Sequence, residues 1–203
     1  MKLYITPNSP YARIARIMVL EKGLEDKVET IVAQTRQADS PYYTINPSGR
    51  VPYLVLDDGT AFEDSAVICH YFDHLEGAPA FDPPPDESGW QWRRLEASAR
   101  SLLDGIAVWG RELSRPEDER SPTILAHEAA RSRRMADYWE AQIAEPLMNG
   151  DLNIPQIVLI CALQMERRNP AFGWRPLHPG LADWVGRLAD RLSIARTIPP
   201  KQA

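Results

Sequence analysis

Four prolines, Pro79, Pro83, Pro84 and Pro85, fall between Gly77 and Glu87, and the hydrophobic period differs on their two sides. Tandem prolines favour a semi-rigid extended spacer over a packed element. Before them the period changes repeatedly; after them it is almost wholly helical. A chain of 203 residues is long enough for two packed units. The expected division is residues 1–76, a linker at 77–86, and an all-helical unit at 87–203.

In the first unit, Lys2 to Thr6 is a β-rich run stopped by Pro7-Asn8. Ser9-Pro10 then offers an N-cap with proline at the first helical position, and Gly23 supplies a left-handed stop. Val28 to Val32 alternates as a second strand. The polar stretch Gln34 to Asn46, with only Tyr42, Tyr43 and Ile45 to hold it, reads as a mobile surface segment. Val51 to Leu56 is strand-like but begins around Pro52, which cannot donate to a ladder. Asp57-Asp58-Gly59-Thr60 turns it back into Ala61-Phe62-Glu63. Asp64-Ser65 caps a helix with the apolar face Val67, Ile68, Tyr71, Phe72 and Leu75. The order is βαβ, then ββα.

Beyond the prolines, Trp90 to Leu113 and Thr123 to Leu147 read as long amphipathic helices. Asn153 caps a third, with Gln156 placed to reach back to it. Ile157 to Leu163 is apolar nearly all round, which marks the buried centre of a bundle. Pro179 to Leu192 gives a final amphipathic helix.

Composition narrows the function classes. The formal net charge of -5 gives no general pull toward nucleic acid or anionic lipid. The apolar run Ile157 to Leu163 is too short to span a bilayer, and the opening Met1-Lys2-Leu3-Tyr4 lacks the apolar core of a signal peptide, so a cytoplasmic protein is expected. Cys69 and Cys161 lie far apart with no CxxC, and both read as small buried hydrophobes.

Three loops of the first unit end where a small anionic ligand is favoured. Ser9 aims a hydroxyl at the space that the first backbone N–H groups and the helix dipole also face. Asn46-Pro47-Ser48-Gly49-Arg50-Val51-Pro52 delivers a valine backbone before a proline at a strand edge. A cis Val51–Pro52 bond would turn the Val51 backbone toward an extended peptide-like ligand; a trans bond leaves an ordinary edge strand. Asp64 and Ser65, at another helix start, suit an ammonium beside a carboxylate.

These residues carry a resemblance. Ser9-Pro10-Tyr11-Ala12-Arg13-Ile14-Ala15-Arg16, Asn46-Pro47-Ser48-Gly49-Arg50-Val51-Pro52 and Asp64-Ser65-Ala66-Val67-Ile68 resemble, in order and spacing, the motifs of serine-type, bacterial-like cytosolic glutathione transferases. The proline linker and helical second half extend the likeness over the whole chain. It implies an α/β thioredoxin-like domain, βαβ then ββα, followed by an all-α bundle. It further implies that Val51, before a cis Pro52, pairs with the cysteinyl part of glutathione. Asp64 and Ser65 would hold the γ-glutamyl end and Arg50 the glycyl carboxylate. The implied partners are glutathione and a small hydrophobic electrophile held by the helical side, in a homodimer serving detoxification.

The chemistry such a reaction requires is thiol activation. Lowering a thiol pKa from ~8.5 by about two units takes ~2.7 kcal/mol of preference for the thiolate. One charge-assisted hydrogen bond contributes ~1.5–3 kcal/mol, so Ser9 suffices as catalytic donor without a metal. Asn8 and Thr6 are the alternative donors, and Tyr4, on a first strand where tyrosine is more often core, ranks below Ser9. Ser9-Pro10-Tyr11-Ala12 resembles the Cys-Pro-Tyr-Cys of glutaredoxins with both sulfurs gone, which removes thiol–disulfide exchange there. Glutathione recycled as the cofactor of an isomerase or dehalogenase, and a binding module without turnover, are the rival readings. Trp109, Arg111, Tyr138 and Trp174 are candidates for an electrophile pocket, though aromatics at helical spacing are commonly core. His70 and His74 stand at metal-ligand spacing but lack an indicated third ligand, so they read as a surface pair and no metal is expected. His127 and His178 gain no partner from sequence.

Overall fold

The computed structural model describes residues 1–201. The chain forms two compact units, one of residues 1–82 with 192–199, the other beginning at Pro83.

The first unit opens with β1 (Lys2–Ile5), whose alternation buries Leu3 and Ile5. Helix α1 (Pro10–Glu21) follows, then β2 (Glu29–Val32). Strands β3 (Tyr53–Val55) and β4 (Ala61–Glu63) form the hairpin, and α2 (Ser65–Leu75) completes the order expected from sequence. The sheet order is β2-β1-β3-β4, with β1 parallel to β2 and antiparallel to β3. Leu3 and Leu54 from the sheet, Ile14, Ile17 and Met18 from α1, and Ile68 and Phe72 from α2 are fully buried. This is a thioredoxin-like α/β unit.

Helix α1 ends as Gly23 predicts. Gly23 has φ +63°, its N–H donates to the Leu20 carbonyl at 3.3 Å, and the Leu24 N–H reaches Val19 at 2.9 Å. That pair of bonds is the Schellman stop, which needs a left-handed residue. The segment read as mobile is instead anchored. Its residues Pro41–Thr44 form a 3-10 turn, capped by buried Ser40, whose hydroxyl donates to the Gln34 carbonyl at 2.6 Å. Tyr42 and Asn46 are also buried. Sparse apolar content misled here, because polar groups satisfied by the loop's own backbone do the anchoring.

In the second unit, α3 (Gly89–Leu113) and α4 (Pro122–Gln142) are the long helices. All ten residues of α5 (Ile154–Leu163) are buried, and α5 packs along α3, as an all-round apolar helix requires. Asn153 caps α5 by accepting the Gln156 N–H at 3.0 Å. Gln156, however, sends its amide to the Leu147 carbonyl at 3.0 Å, and its carbonyl oxygen does not receive the cap's N–H. Half of the expected reciprocal cap is present. Trp109 and Trp174 are core residues, Trp174 donating its indole N–H to the Leu163 carbonyl at 3.0 Å.

The final helix expected over Pro179 to Leu192 stops at Ala189, and a short further helix, not expected, follows it. Helix α6 (Pro179–Ala189) belongs to the second unit, while α7 (Leu192–Arg196) packs on α1 in the first. Buried Arg13 makes that junction: its guanidinium donates to the Ile194 carbonyl at 3.2 Å and the Thr197 hydroxyl at 3.3 Å. Ser193 bonds Glu21, and Arg196 pairs with Glu25 at 2.9 Å. Among the described residues, no helix is long and apolar enough to cross a membrane.

Candidate functional site

Sheet register decides which loops meet. In the antiparallel β1–β3 pair Tyr4 lies opposite Tyr53, and in β3–β4 Tyr53 lies opposite Glu63. The end of β1, the start of β3 and the end of β4 therefore share one end of the sheet. The loop carrying Ser9, the Val51–Pro52 step and the Asp64–Ser65 corner all issue from that end.

Ser9 is the N-cap of α1, with extended φ -76° and ψ 118°, and its Oγ accepts the Ala12 N–H at 3.1 Å. A hydroxyl has one donor and two acceptor positions, so this capping bond leaves the O–H proton to be donated elsewhere. Pro10 at the first helical position contributes no N–H of its own. Thr6 is half-buried, and its carbonyl accepts the Ser9 N–H at 3.1 Å, fixing the approach to the cap. Asn8 is exposed. Tyr4 packs its ring 5.5 Å from that of Tyr42, the structural role its strand position suggested.

The Val51–Pro52 peptide is cis. Just before it, the Arg50 carbonyl accepts from the Tyr42 hydroxyl at 2.6 Å and the Asn46 amide at 3.0 Å. Ser48 accepts the Arg50 N–H at 3.1 Å and donates to Glu63 at 2.6 Å, tying this loop to the end of β4. Burial pushes the Tyr42 phenol up to about 12, against the opposing effect of Asn46 and with support from Glu63, so it remains a donor to Arg50 at neutral pH. Gly49 has φ +66°, and a Cβ there would stand 2.7 Å from Tyr43 Cε1. From sequence, Tyr42 was read only as a weak anchor of a polar stretch and Gly49 only as part of the turn motif, neither with these contacts. The turn signal Asn46 to Pro52 pointed to the loop, but the tyrosine that grips it lies in the stretch read as loosely held. The Arg50 side chain is exposed.

Asp64 caps α2 by accepting the Ala66 N–H at 2.7 Å. It does so at φ +78°, outside the usual range for a residue with a Cβ. Such backbone costs about 1–3 kcal/mol and collects at ligand-contacting positions. Asp64 is exposed and Ser65 is buried at 2%.

Elsewhere in the first unit, His70 and His74 receive the third group that sequence did not indicate. Asp82 lies 2.9 Å from His70 Nδ1 and 3.2 Å from His74 Nε2. In the second unit, Tyr138 accepts from Arg94 at 2.8 Å.

Comparison with known proteins bears on the family and the fold. Residues 8–75 match the family model of the glutathione S-transferase N-terminal domain. The chain is 33% identical over 203 residues to the uncharacterized GST-like protein YibF of Escherichia coli (strain K12), covering 99% of this chain and 100% of that one. It is similar to a crystal structure of a glutathione transferase family member from Pseudomonas fluorescens Pf-5 with bound glutathione, with a TM-score of 0.88, 30% identity and 98% of both chains covered. A Pf-5 structure with bound S-(propanoic acid)-glutathione gives a TM-score of 0.84 and 31% identity over 98% of this chain and 100% of that one. On sequence over its full length and on fold, this chain belongs to the glutathione S-transferase family.

Proposed function

We propose that this protein binds glutathione at the end of its four-stranded sheet and transfers the sulfur, as thiolate, to a small hydrophobic electrophile. The observation that carries the reading is the register that brings the Ser9 cap, the cis Val51–Pro52 step and the Asp64 corner to one end of the sheet. Ser9 is the catalytic residue: its O–H, left over by the capping bond to Ala12, donates to the sulfur. The N-terminus of α1 adds a favourable dipole for the developing negative charge. Val51 pairs its backbone with the cysteinyl residue. The γ-glutamyl ammonium sits beside Asp64 and its carboxylate at the start of α2 around Ser65. Arg50, exposed on the turn, reaches for the glycyl carboxylate.

Bound as the thiolate, the tripeptide attacks an electrophilic carbon and forms a carbon–sulfur bond: in substitution the carbon–leaving-group bond breaks and the group departs with its electron pair, and in addition the π bond opens and the carbanion takes a proton from water. Serine cannot form a mixed disulfide, so exchange chemistry is not supported at this position.

The test is a thiolate absorbance titration of bound glutathione in the parent and in Ser9→Ala. The parent thiol should ionise below free glutathione, and the variant should rise by about 1–2 pH units, the worth of one charge-assisted hydrogen bond. An unchanged value in Ser9→Ala overturns the assignment in favour of Asn8, Thr6 or backbone donors.

A further inference from the structure

The spacing of His70 and His74 places both rings on one face of α2, with centroids 4.2 Å apart. What converts a pair into a potential chelate is Asp82, delivered from the proline-rich segment. Its position is imposed from below. Buried Asp73, also on α2, accepts the N–H groups of Ala80 at 3.0 Å, Phe81 at 2.9 Å and Asp82 at 2.9 Å, while the Phe81 side chain is buried. Asp82 thus reaches the histidines from a docked backbone.

The hydrogen bonding of His74 places its second ring nitrogen toward Asp82. His74 Nδ1 lies 3.0 Å from the His70 carbonyl, which only accepts, so Nδ1 carries the proton. In a neutral ring that leaves Nε2 as a lone pair, and it faces Asp82 Oδ2, another acceptor, at 3.2 Å. His74 also lies in the last turn of α2, where the helix dipole favours positive charge.

A metal fits the distances. With ligand bonds of 2.0–2.2 Å, the edge of a tetrahedral shell is about 3.3 Å. His74 Nε2 lies 3.2 Å from Asp82 Oδ2, close to that edge; His70 Nδ1 lies 2.9 Å from the other oxygen, Oδ1, and must open by a few tenths of an ångström, and one ligand atom from each of the three residues lies within 4.8 Å of the others. Two imidazoles and one carboxylate suit zinc-like ions rather than magnesium or calcium, which prefer oxygen shells. The His74 Nδ1–H bond to a carbonyl is the outer contact that orients a ligating ring. The exposed side chains of His70 and His74 leave room for water at a fourth position.

We propose that His70, His74 and Asp82 bind one divalent transition-metal ion of the zinc class, clipping the start of the proline-rich segment to α2. This site uses none of the residues assigned to glutathione.

The test uses the untagged full chain, stripped with chelator and dialysed, in equilibrium dialysis against zinc chloride with excess magnesium. One zinc per chain is expected, with a rise in Tm. Binding should weaken at least tenfold in His74→Gln and in Asp82→Asn, the latter keeping the backbone bond to Asp73. Circular dichroism of the metal-free variants should match the parent. Zinc should also shift the imidazole NMR signals of His70 and His74 together while leaving His127 unmoved. Sub-stoichiometric zinc, equal retention in both variants, or His70 and His74 signals that do not move at excess zinc would overturn the site.

Discussion

Asp64 shows how one residue can serve fold and ligand at once, and how the two can be separated. Its side chain caps α2 while its backbone occupies φ +78°. Asp64→Asn preserves the accepting oxygen and removes the charge. Thermal stability should hardly change, while glutathione affinity by calorimetry should fall about tenfold, the worth of one interaction with a charged group. Gly49 makes a complementary case. Gly49→Ala places a methyl 2.7 Å from the Tyr43 ring, in a backbone conformation that alanine resists. The loop must shift, and with it the Arg50–Val51 step; affinity for glutathione should again drop about tenfold, this time with a lower Tm. From sequence, Ser9, Asp64 and Ser65 were legible because capping chemistry restricts residue types at helix starts. The grip of Tyr42 on the Arg50 carbonyl was not, since a tyrosine eight positions earlier carries no local signal of where its hydroxyl ends.

Helix α1 owes its length to Gly23 and its outer contact to Arg13. A Cβ at Gly23 meets nothing within 4 Å, so Gly23→Ala isolates the backbone effect. It should destabilise by about 1 kcal/mol in urea unfolding without altering ligand affinity. Arg13→Met removes the donors that hold Ile194 and Thr197. A loss of about 3 kcal/mol is expected, together with faster proteolysis within residues 192–199. Helical periodicity identified α1 to α4, each with an apolar stripe long enough to repeat, and an all-round apolar run behind a cap identified α5. Periodicity missed α7 because a five-residue helix is too short to show a period of its own.

The stability of the first unit should depend on acidity through Asp73. Burial pushes its carboxyl up, but the N–H groups of Ala80 and Phe81 and the Lys22 ammonium at 3.1 Å outweigh that, and it ends below the usual carboxylate range. A depressed folded pKa contributes stability above the unfolded value of ~3.9, lost as pH falls through the folded value. Asp73→Asn should therefore cost about 3 kcal/mol at pH 6. The gap in urea midpoint between parent and variant should shrink toward pH 3, and a gap independent of pH would refute the assignment. The division into an α/β half and a helical half was legible because the period changes across the prolines. The return of the chain's last helix to α1 was not, since a contact this distant in sequence has no local pattern. That return has a consequence for biosynthesis. While the ribosome is still making the helical unit, the Arg13 guanidinium has neither Ile194 nor Thr197 to receive it, so the first-made half leaves the exit tunnel before its own closing piece exists.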